Sequence, residues 1–236
     1  MQPTTNSRAA LEAALARHGL RVRGGWIPTD ADDLPVLPRG RRPAVVWMVG
    51  QAGSECWSAF AASAFAQDGQ PDPMDRWSKA IGDALAHQCA GVALYPSDGP
   101  PWYPFQRWAQ RAEALQTSPL MLQIHPQFGL WHAYRFALLA PALMPHDRPA
   151  LTAPRPAATD LCLRCDGQPC LGACPVHAFS AGAYDGGSCA AFLHRPEGQD
   201  CMRSGCQARR ACPVGTDFAY APEHAAFHMA AFARRH

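Results

Sequence analysis

The chain has 236 residues, of which 48% are hydrophobic and 17% are charged, and its formal net charge is +2. A chain of this length and composition forms one large globular domain or two smaller ones, which excludes an intrinsically disordered protein. The nearly balanced charge gives no basic surface of the kind that binds nucleic acid, so we do not expect nucleic acid as a partner.

The sequence shows no pattern of a targeting or membrane segment. Its N-terminal stretch has the spacing of an amphipathic helix, without the basic and apolar regions of a signal peptide. The longest apolar run, "FALLAPALM", is too short to cross a bilayer. We therefore expect a cytoplasmic protein without a membrane partner, in which the ten cysteines are metal ligands or reactive thiols rather than disulfides.

The first 145 residues alternate between helical and strand-like patterns. In chain order, the hydrophobic spacing predicts helices over 7–18, 55–66, 72–88 and 105–116, and strands over 44–49, 90–96, 119–125 and 134–140. Asp72 or Asp75 lies near the start of the third helix, where a carboxylate favours the helix. Helices that alternate with strands predict an α/β domain whose sheet is covered on both faces.

A Pro- and Ala-rich stretch, "MPHDRPALTAPRPAATD", divides the chain. We interpret it as a connection rather than an element of secondary structure. The sequence therefore predicts a first domain over 1–145, a linker over 146–159 and a second, ferredoxin-like domain over 160–236. The second domain has short helical pieces between Cys and Gly turns, followed by a C-terminal helix over 223–235.

Eight of the ten cysteines lie between 162 and 212, in two runs that each end in Cys-Pro. The first run has the spacing C-x2-C-x4-C-x3-C-P, and the second has C-x11-C-x4-C-x5-C-P. In two-cluster ferredoxins, the cysteine before the proline ligates the other cluster. The pattern predicts two [4Fe–4S] clusters, the first held by Cys162, Cys165, Cys170 and Cys212 and the second by Cys174, Cys189, Cys201 and Cys206.

Two other interpretations of the cysteines stay open. The four thiols of the first run would also satisfy a tetrahedral zinc site, formed by Cys162, Cys165, Cys170 and Cys174. The wider gaps of the second run would also fit a protein with a single cluster. The paired Cys-Pro endings favour two clusters, because a zinc site does not need them.

The most informative run of the first domain is "LMLQIHPQFGLWHAYRFALLAP", residues 120–141. Gly129 would let a flat ligand lie close to the backbone, and the aromatic residues beside it would supply apolar walls. The HP-x-FG-x-W motif in this run resembles that of the CblC family, the cobalamin-processing proteins of animals. Three further segments resemble the same family in the same order, namely "VVWMVGQAGSECWSAF", "DPMDRWSKAIGDALA" and "PPWYPFQRWAQR".

The resemblance to the CblC family covers roughly residues 10–141. It implies a flavin-reductase or nitroreductase-like α/β fold that binds cobalamin with the nucleotide tail displaced. Carried over residue by residue, it implies that the corrin is lined by His125, Gln127, Phe128, Gly129 and Trp131, and is approached by Tyr103, Gln106 and Arg107. The resemblance assigns no catalytic residue.

The Cys-rich region resembles the iron–sulfur domain of epoxyqueuosine reductase and of reductive dehalogenases, which join a cobalamin-binding domain to two [4Fe–4S] clusters in the same order. The resemblances imply an oxidoreductase of the cobalamin reductase or decyanase type. It would reduce cobalamin and remove or exchange the upper axial ligand, with electrons that reach its clusters from an external flavoprotein or reductase. Two alternatives stay open: a cobalamin-dependent reductase of an organic substrate, and a ferredoxin-type electron carrier whose first domain docks a partner.

The remaining notable residues have less specific interpretations. Cys56 and Cys89 are expected to be buried, inert thiols. His224 and His228 lie four residues apart and would suit a metal pair, but a solvated helix face is the favoured interpretation because no third ligand is evident. The run "RGRRP" at 39–43 is expected to be a solvated loop, with phosphate binding as the alternative.

Overall fold

The computed structural model describes residues 7–153, 160–180 and 182–235, and these residues form two compact units. The first unit comprises residues 7–51, 55–113 and 133–153. The second comprises residues 52–54, 114–132, 160–180 and 182–235. The part of the predicted linker over 154–159 lies outside the described residues, and the division into domains drawn from the sequence stays a prediction.

The protein is a mixed α/β structure. Its strands are β1 Arg21–Trp26, β2 Val45–Ala52, β3 Val92–Leu94, β4 Gln116–Thr117, β5 Gln123–Ile124, β6 His132–Ala140, β7 Phe179–Ser180 and β8 Ala183–Tyr184. Its α-helices are α1 Arg8–Ala16, α2 Trp57–Ala61, α3 Ala64–Gln67, α4 Pro73–Cys89, α5 Phe105–Ala112, α6 Arg148–Thr152, α7 Pro169–Gly172, α8 Gly186–Leu193, α9 Gln199–Ser204, α10 Gln207–Arg210 and α11 Pro222–Arg235.

A four-stranded antiparallel sheet with the order β1-β2-β6-β3 organises the first unit. Every residue of β2 is buried, as expected for a strand that is covered on both faces. On one face, Val46 and Met48 belong to a core that includes Trp108 of α5. On the other face, the alternate residues Val45 and Val49 are equally inaccessible. The prediction of a buried strand here is confirmed.

The predicted helices of the first unit are present, and several are shorter than expected. Helix α1 begins after Ser7, whose hydroxyl accepts a hydrogen bond from the Ala10 N–H at 3.2 Å, and this cap fixes the start of the helix. The expected helix over 55–66 is broken at Ala62 and Ser63 into α2 and α3. Helix α4 matches its prediction closely, with Pro73 at the first turn, where its missing N–H is not needed.

Strand β1 was not predicted from the sequence "RVRGGW", because two arginines and two glycines do not form an apolar strand pattern. Arg23 is nevertheless 1% exposed. Its guanidinium makes an ion pair with Glu113 at 2.6 Å and donates a hydrogen bond to the Gln51 carbonyl at 3.0 Å. A partner far along the chain therefore allows a charged residue to occupy the sheet interior.

The second unit has short helices and two small hairpins, β4–β5 and β7–β8. Of the strand predicted over 119–125, only Gln123–Ile124 is extended. Residues 118–122 instead form a turn, in which the Ser118 N–H bonds to the Leu122 carbonyl and Pro119 has no N–H for a strand ladder. The C-terminal helix is confirmed as α11, which packs against α9.

Residues 145–152, in the region predicted as a connection, are helical. A 3-10 turn over Pro145–Asp147 is followed by α6, and the Asp147 carboxylate accepts a hydrogen bond from the Arg8 N–H at 2.9 Å. Pro145 is the first residue of the 3-10 turn and Pro149 is the second residue of α6, positions where the missing N–H is compatible with a helix start. Within the described ranges, no helix is long and apolar enough to span a membrane.

Candidate metal centre

The first group of thiols in the second unit consists of Cys162, Cys165, Cys170 and Cys212, which interact electrostatically with one another. Cys162 and Cys165 are the first and last residues of one turn, in which the Cys165 N–H bonds to the Cys162 carbonyl at 3.4 Å. Cys170 is in α7, and Cys212 follows α10. The fold therefore brings a cysteine of the second run to three cysteines of the first run.

Apolar side chains line a small cavity beside this first group. Leu120 lies before β5 and Ile124 on it, Leu130 lies between β5 and β6, and Leu161 directly precedes Cys162. Pro213, directly after Cys212, completes the wall together with Val214. Walls of this kind exclude water from a bound group and strengthen the electrostatic interactions of the thiolates.

The second group of thiols consists of Cys174, Cys189, Cys201 and Cys206, again linked by electrostatic interactions. Cys174 and Cys201 are buried, and the side chains packed around this group include Leu193 and Phe192 of α8 and Phe232 of α11. Each group thus takes three cysteines from one run and the cysteine before proline from the other. The role of the eight cysteines as metal ligands stays a prediction.

The grouping separates the thiols that a zinc site in the first run would need. Cys174 interacts electrostatically with Cys189 and Cys206, whereas Cys162 and Cys170 interact with Cys212. All ten cysteines are free thiols. Over the described part of the chain, no three or more His, Cys, Asp or Glu side chains are arranged to hold a single metal ion.

The environment of the thiols favours their protonated form when no cation is bound. Burial, followed by the charges of neighbouring cysteines, raises the pKa of Cys162 and of Cys170. Burial also raises the pKa of Cys201 and of Cys206. A bound cation would reverse this preference and release protons, because metals bind thiolates.

The HP-x-FG-x-W motif lies in the second unit and forms a tight turn. The backbones of His125 and Gly129 pair through two hydrogen bonds of 2.9 Å. The His125 Nδ1 accepts hydrogen bonds from the N–H groups of Gln127 and Phe128, at 3.0 and 3.1 Å. The His125 ring stacks on Phe128 with 4.3 Å between centroids. His125 therefore acts within the described structure as a cap of its own turn.

Gly129 is required by a close backbone contact. Its φ is +56°, and a Cβ at this position would lie 1.8 Å from the Val214 carbonyl oxygen. Phe128 is in edge-to-face contact with Phe218, with centroids 4.8 Å apart. The sequence suggested that Gly129 makes room for a flat ligand, whereas the group that approaches it here is the chain just after Cys212-Pro213.

Trp131 packs in a layer of aromatic and cationic side chains. Its ring is 5.5 Å from Tyr220, and the Arg209 guanidinium lies 4.6 Å from the Trp131 ring and 4.4 Å from the Tyr220 ring. Arg209 also donates a hydrogen bond to the Leu130 carbonyl. The contacts of the motif are thus with protein, and its role in binding cobalamin stays a prediction.

The other residues assigned to the corrin are in the first unit, at the start of α5. Tyr103 is half-buried against Trp108, with ring centroids 5.6 Å apart. Gln106 and Arg107 are exposed, as is Gln127 in the second unit. The residues predicted to line or approach the corrin thus belong to two different units.

The expectation of a solvated face at His224 and His228 is wrong for His224, which is 0% exposed. Its Nδ1 lies 3.0 Å from the Ser54 hydroxyl, and its Nε2 lies 3.1 Å from the His228 Nε2. Tyr220 stacks on His224 with 4.1 Å between centroids. The spacing of His224 and His228 was a sequence signal for one face of α11, whereas nothing in the local sequence indicated Ser54 as a partner.

The remaining expectations about single residues are confirmed in part. Cys56 and Cys89 are buried, and burial raises the pKa of each thiol. The loop over 39–43 is largely exposed, and Arg42 makes an ion pair with Asp30. These observations agree with inert thiols and a solvated loop.

Comparisons with known proteins assign no family or function to these residues. No protein-family model matches the chain, and no curated protein matches it.

Proposed function

We propose that the protein holds two [4Fe–4S] clusters and uses them to reduce a bound cobalamin, so that the upper axial ligand is removed or exchanged. The observation that carries the proposal is the exchange of the last cysteine between the two runs, with Cys212 in the first group and Cys174 in the second. Such an exchange is typical of two-cluster ferredoxins.

The chemistry of the thiols fits an iron–sulfur cluster. Thiolates are the ligands of iron–sulfur clusters, and each group offers four of them beside apolar side chains. A cubane binds each thiolate at a different iron atom, so its four sulfurs stand further apart than the ligands of a single ion. When bound, the clusters would supply one-electron transfer, while the chain holds the thiolates in place and limits the access of water.

The cobalamin part of the proposal is supported by the resemblance of four ordered segments to the CblC family. A second candidate, a ferredoxin-type electron carrier, is favoured by one observation. Phe128, Gly129 and Trp131, which carry the most specific part of that resemblance, are all engaged in contacts within the second unit. Those contacts alone would account for the motif, without a corrin.

Protein purified without oxygen tests the clusters directly. We expect about eight iron and eight sulfide per chain, as two cubanes require. The Cys56→Ser variant serves as a control and keeps all of the iron. Colourless protein that holds zinc at these thiols would contradict the proposal.

Double substitutions test the exchange between the runs. Cys162 and Cys212 belong to the same group, so replacing both with serine should remove about half of the iron. Cys162 and Cys174 belong to different groups, so replacing both should remove nearly all of it. If the four cysteines of each run bound one cluster, the two double variants would give the reverse result, and the crossed assignment would be wrong.

Titration with cobalamins distinguishes the two candidate functions. The reduced, cluster-loaded protein should shift the corrin absorption spectrum to the base-off form and then reduce the cobalt. An unchanged corrin spectrum in the presence of redox-active clusters would reject cobalamin reduction and leave the electron carrier. Turnover of an organic substrate in place of ligand loss would indicate a cobalamin-dependent reductase.

A further inference from the structure

Arg209 lies in a short helix of the second unit, between a cysteine of each thiol group. Helix α10 begins directly after Cys206, and the Cys212 N–H bonds to the Arg209 carbonyl at 3.3 Å. The residue before Arg209, Ala208, is 0% exposed and belongs to an apolar cluster that includes cysteines of both groups. The cysteines in or against this cluster are Cys162, Cys170, Cys174, Cys189, Cys206 and Cys212. The backbone of Arg209 is therefore close to both groups.

The guanidinium of Arg209 is held beside the same apolar cluster. It lies 4.6 Å from the Trp131 ring and 4.4 Å from the Tyr220 ring, and it donates a hydrogen bond to the Leu130 carbonyl. Leu130 is itself a member of the cluster, and its side chain lines the cavity beside the first thiol group. These three contacts fix the position of the positive charge.

The charge of Arg209 has no compensating carboxylate among the residues that the structure describes. The side chain of Arg209 is half-buried, and its Nε–H is buried without an acceptor. The next residue, Arg210, is by contrast exposed and ion-paired with Asp200. A partly buried charge without a counter-charge is unfavourable. An iron–sulfur cluster held by four thiolates is an anion, so a cluster at each thiol group would supply the missing negative charge.

We propose that Arg209 compensates the negative charge of the two clusters and thereby raises the reduction potential of both. The inference rests on the proposed function, since it requires a cluster at each thiol group. When an electron from the external donor reduces a cluster, the cluster gains one negative charge. A fixed positive charge nearby therefore stabilises the reduced state more than the oxidised state. Because Coulomb attraction acts over a distance, the effect needs no contact between the guanidinium and a sulfur atom.

A redox titration followed by electron paramagnetic resonance tests the inference in the anaerobic, cluster-loaded protein. Arg209→Gln removes the charge and keeps a side chain that can donate a hydrogen bond. Both midpoint potentials should fall, each by about threefold to tenfold in the reduction equilibrium, where tenfold is about 59 mV for one electron. Arg209→Lys keeps the charge and should recover most of each shift.

Arg203 provides the matched control, because it lies three residues before Cys206, as Arg209 lies three residues after it, and its side chain is exposed. Arg203→Gln should change each reduction equilibrium by less than about twofold, because water and salt screen an exposed charge. Raising the ionic strength from about 0.05 M to about 0.5 M should leave most of the Arg209→Gln shift in place. Equal shifts in Arg203→Gln and Arg209→Gln would mean that only net charge matters, and the inference would be wrong.

The remaining outcomes separate the inference from the proposed function. If Arg209→Gln shifts neither potential or only one, or if Arg209→Lys does not reverse the shifts, the inference is wrong while the proposed function stands. If Arg209→Gln holds no clusters, iron analysis of Arg209→Lys decides: retained iron supports a requirement for the charge, and lost iron contradicts it. If the wild-type protein binds no iron–sulfur cluster, the proposed function fails and the inference fails with it.

Discussion

Arg23 and Glu113 form a buried ion pair in the first unit, with the Arg23 side chain 1% exposed and the Glu113 side chain 16% exposed. The Tyr134 hydroxyl donates a further hydrogen bond to the same carboxylate. Removing one partner of a buried pair leaves a charge without compensation, which costs about 3–5 kcal/mol. We therefore expect Glu113→Gln to lower the free energy of unfolding by about 3 kcal/mol, measured by urea denaturation with tryptophan fluorescence.

The exposed pair of Arg42 and Asp30 is the control for this experiment. Arg42→Gln should change the free energy of unfolding by less than about 0.5 kcal/mol, because solvent screens exposed charges. Replacing Arg23 by Met and Glu113 by Leu together should be less harmful than Glu113→Gln alone. Equal effects of Glu113→Gln and Arg42→Gln would mean that the buried pair does not stabilise β1.

Gly129 links backbone geometry to the first thiol group. Gly129→Ala would place a methyl group 1.8 Å from the Val214 carbonyl oxygen, so the chain beside Cys212 would have to move. We expect this variant to lose about half of the iron, corresponding to the first cluster, as measured by metal analysis after anaerobic purification.

Gly69→Ala is a matched control for this prediction, because Gly69 has a φ of +69° and no atom within 4 Å of an added Cβ. It should cost only the strain of a left-handed residue, about 1 kcal/mol, and keep the full iron content. Full iron content in Gly129→Ala would show that the contact does not control the position of Cys212.

At the scale of elements, helix α8 depends on its cap. The Asp185 carboxylate accepts hydrogen bonds from the N–H and hydroxyl of Ser188, at 2.9 and 2.6 Å, and the Cys189 N–H bonds to the Asp185 carbonyl at 3.2 Å. Asp185→Ala should loosen the first turn and lower the iron held by the second group to roughly half of its value under a weak chelator. Asp185→Asn, which keeps an accepting oxygen, should retain the iron.

The pH dependence of this cap follows from the Ser188 side-chain hydrogen bond, which together with the Ser188 N–H holds the pKa of Asp185 below its ordinary value. Because the pKa is lowered in the folded state, the ionised carboxylate stabilises the fold at pH values above the unfolded pKa of about 3.9. This stabilisation is lost as the pH falls through the lower, folded-state pKa. Wild-type α8 should therefore keep its cap at pH 5, as followed by amide hydrogen exchange. Equal protection in wild type and Asp185→Ala would exclude a role for the cap.

At the scale of the whole molecule, the two units should respond differently to metal removal. The thiols are part of the apolar clusters of the second unit, and its helices have 4 to 8 residues apart from α11. Metal binding to such thiols is coupled to folding. After oxidative chelation, we expect hydrogen exchange to increase at least tenfold over 160–215, with little change in β2 and α4.

Calcium chelation with EGTA is the control, since it removes ions that thiolates do not bind. It should leave hydrogen exchange unchanged in both units. A second unit that keeps its protection after all iron is lost would show that its packing is independent of the clusters.

The sequence by itself determined the elements whose burial pattern is local. The continuous apolar run of β2 and the helical spacing of α1, α4 and α11 were all readable because side-chain periodicity follows the backbone directly. The spacing of the cysteines before proline likewise predicted two sets of four thiols. Electrostatic interactions among these thiols follow the same two sets, and their role as cluster ligands stays a prediction.

Only the tertiary structure decided which distant segments lie together. It assigned residues 114–132, with the HP-x-FG-x-W motif, and residues 52–54 to the unit of the cysteines. It also buried Arg23 against a carboxylate 90 positions away and His224 against Ser54, 170 positions away. Periodicity shows which face of an element is apolar, whereas burial of a charged or polar side chain depends on a hydrogen-bonding partner that the local sequence does not specify.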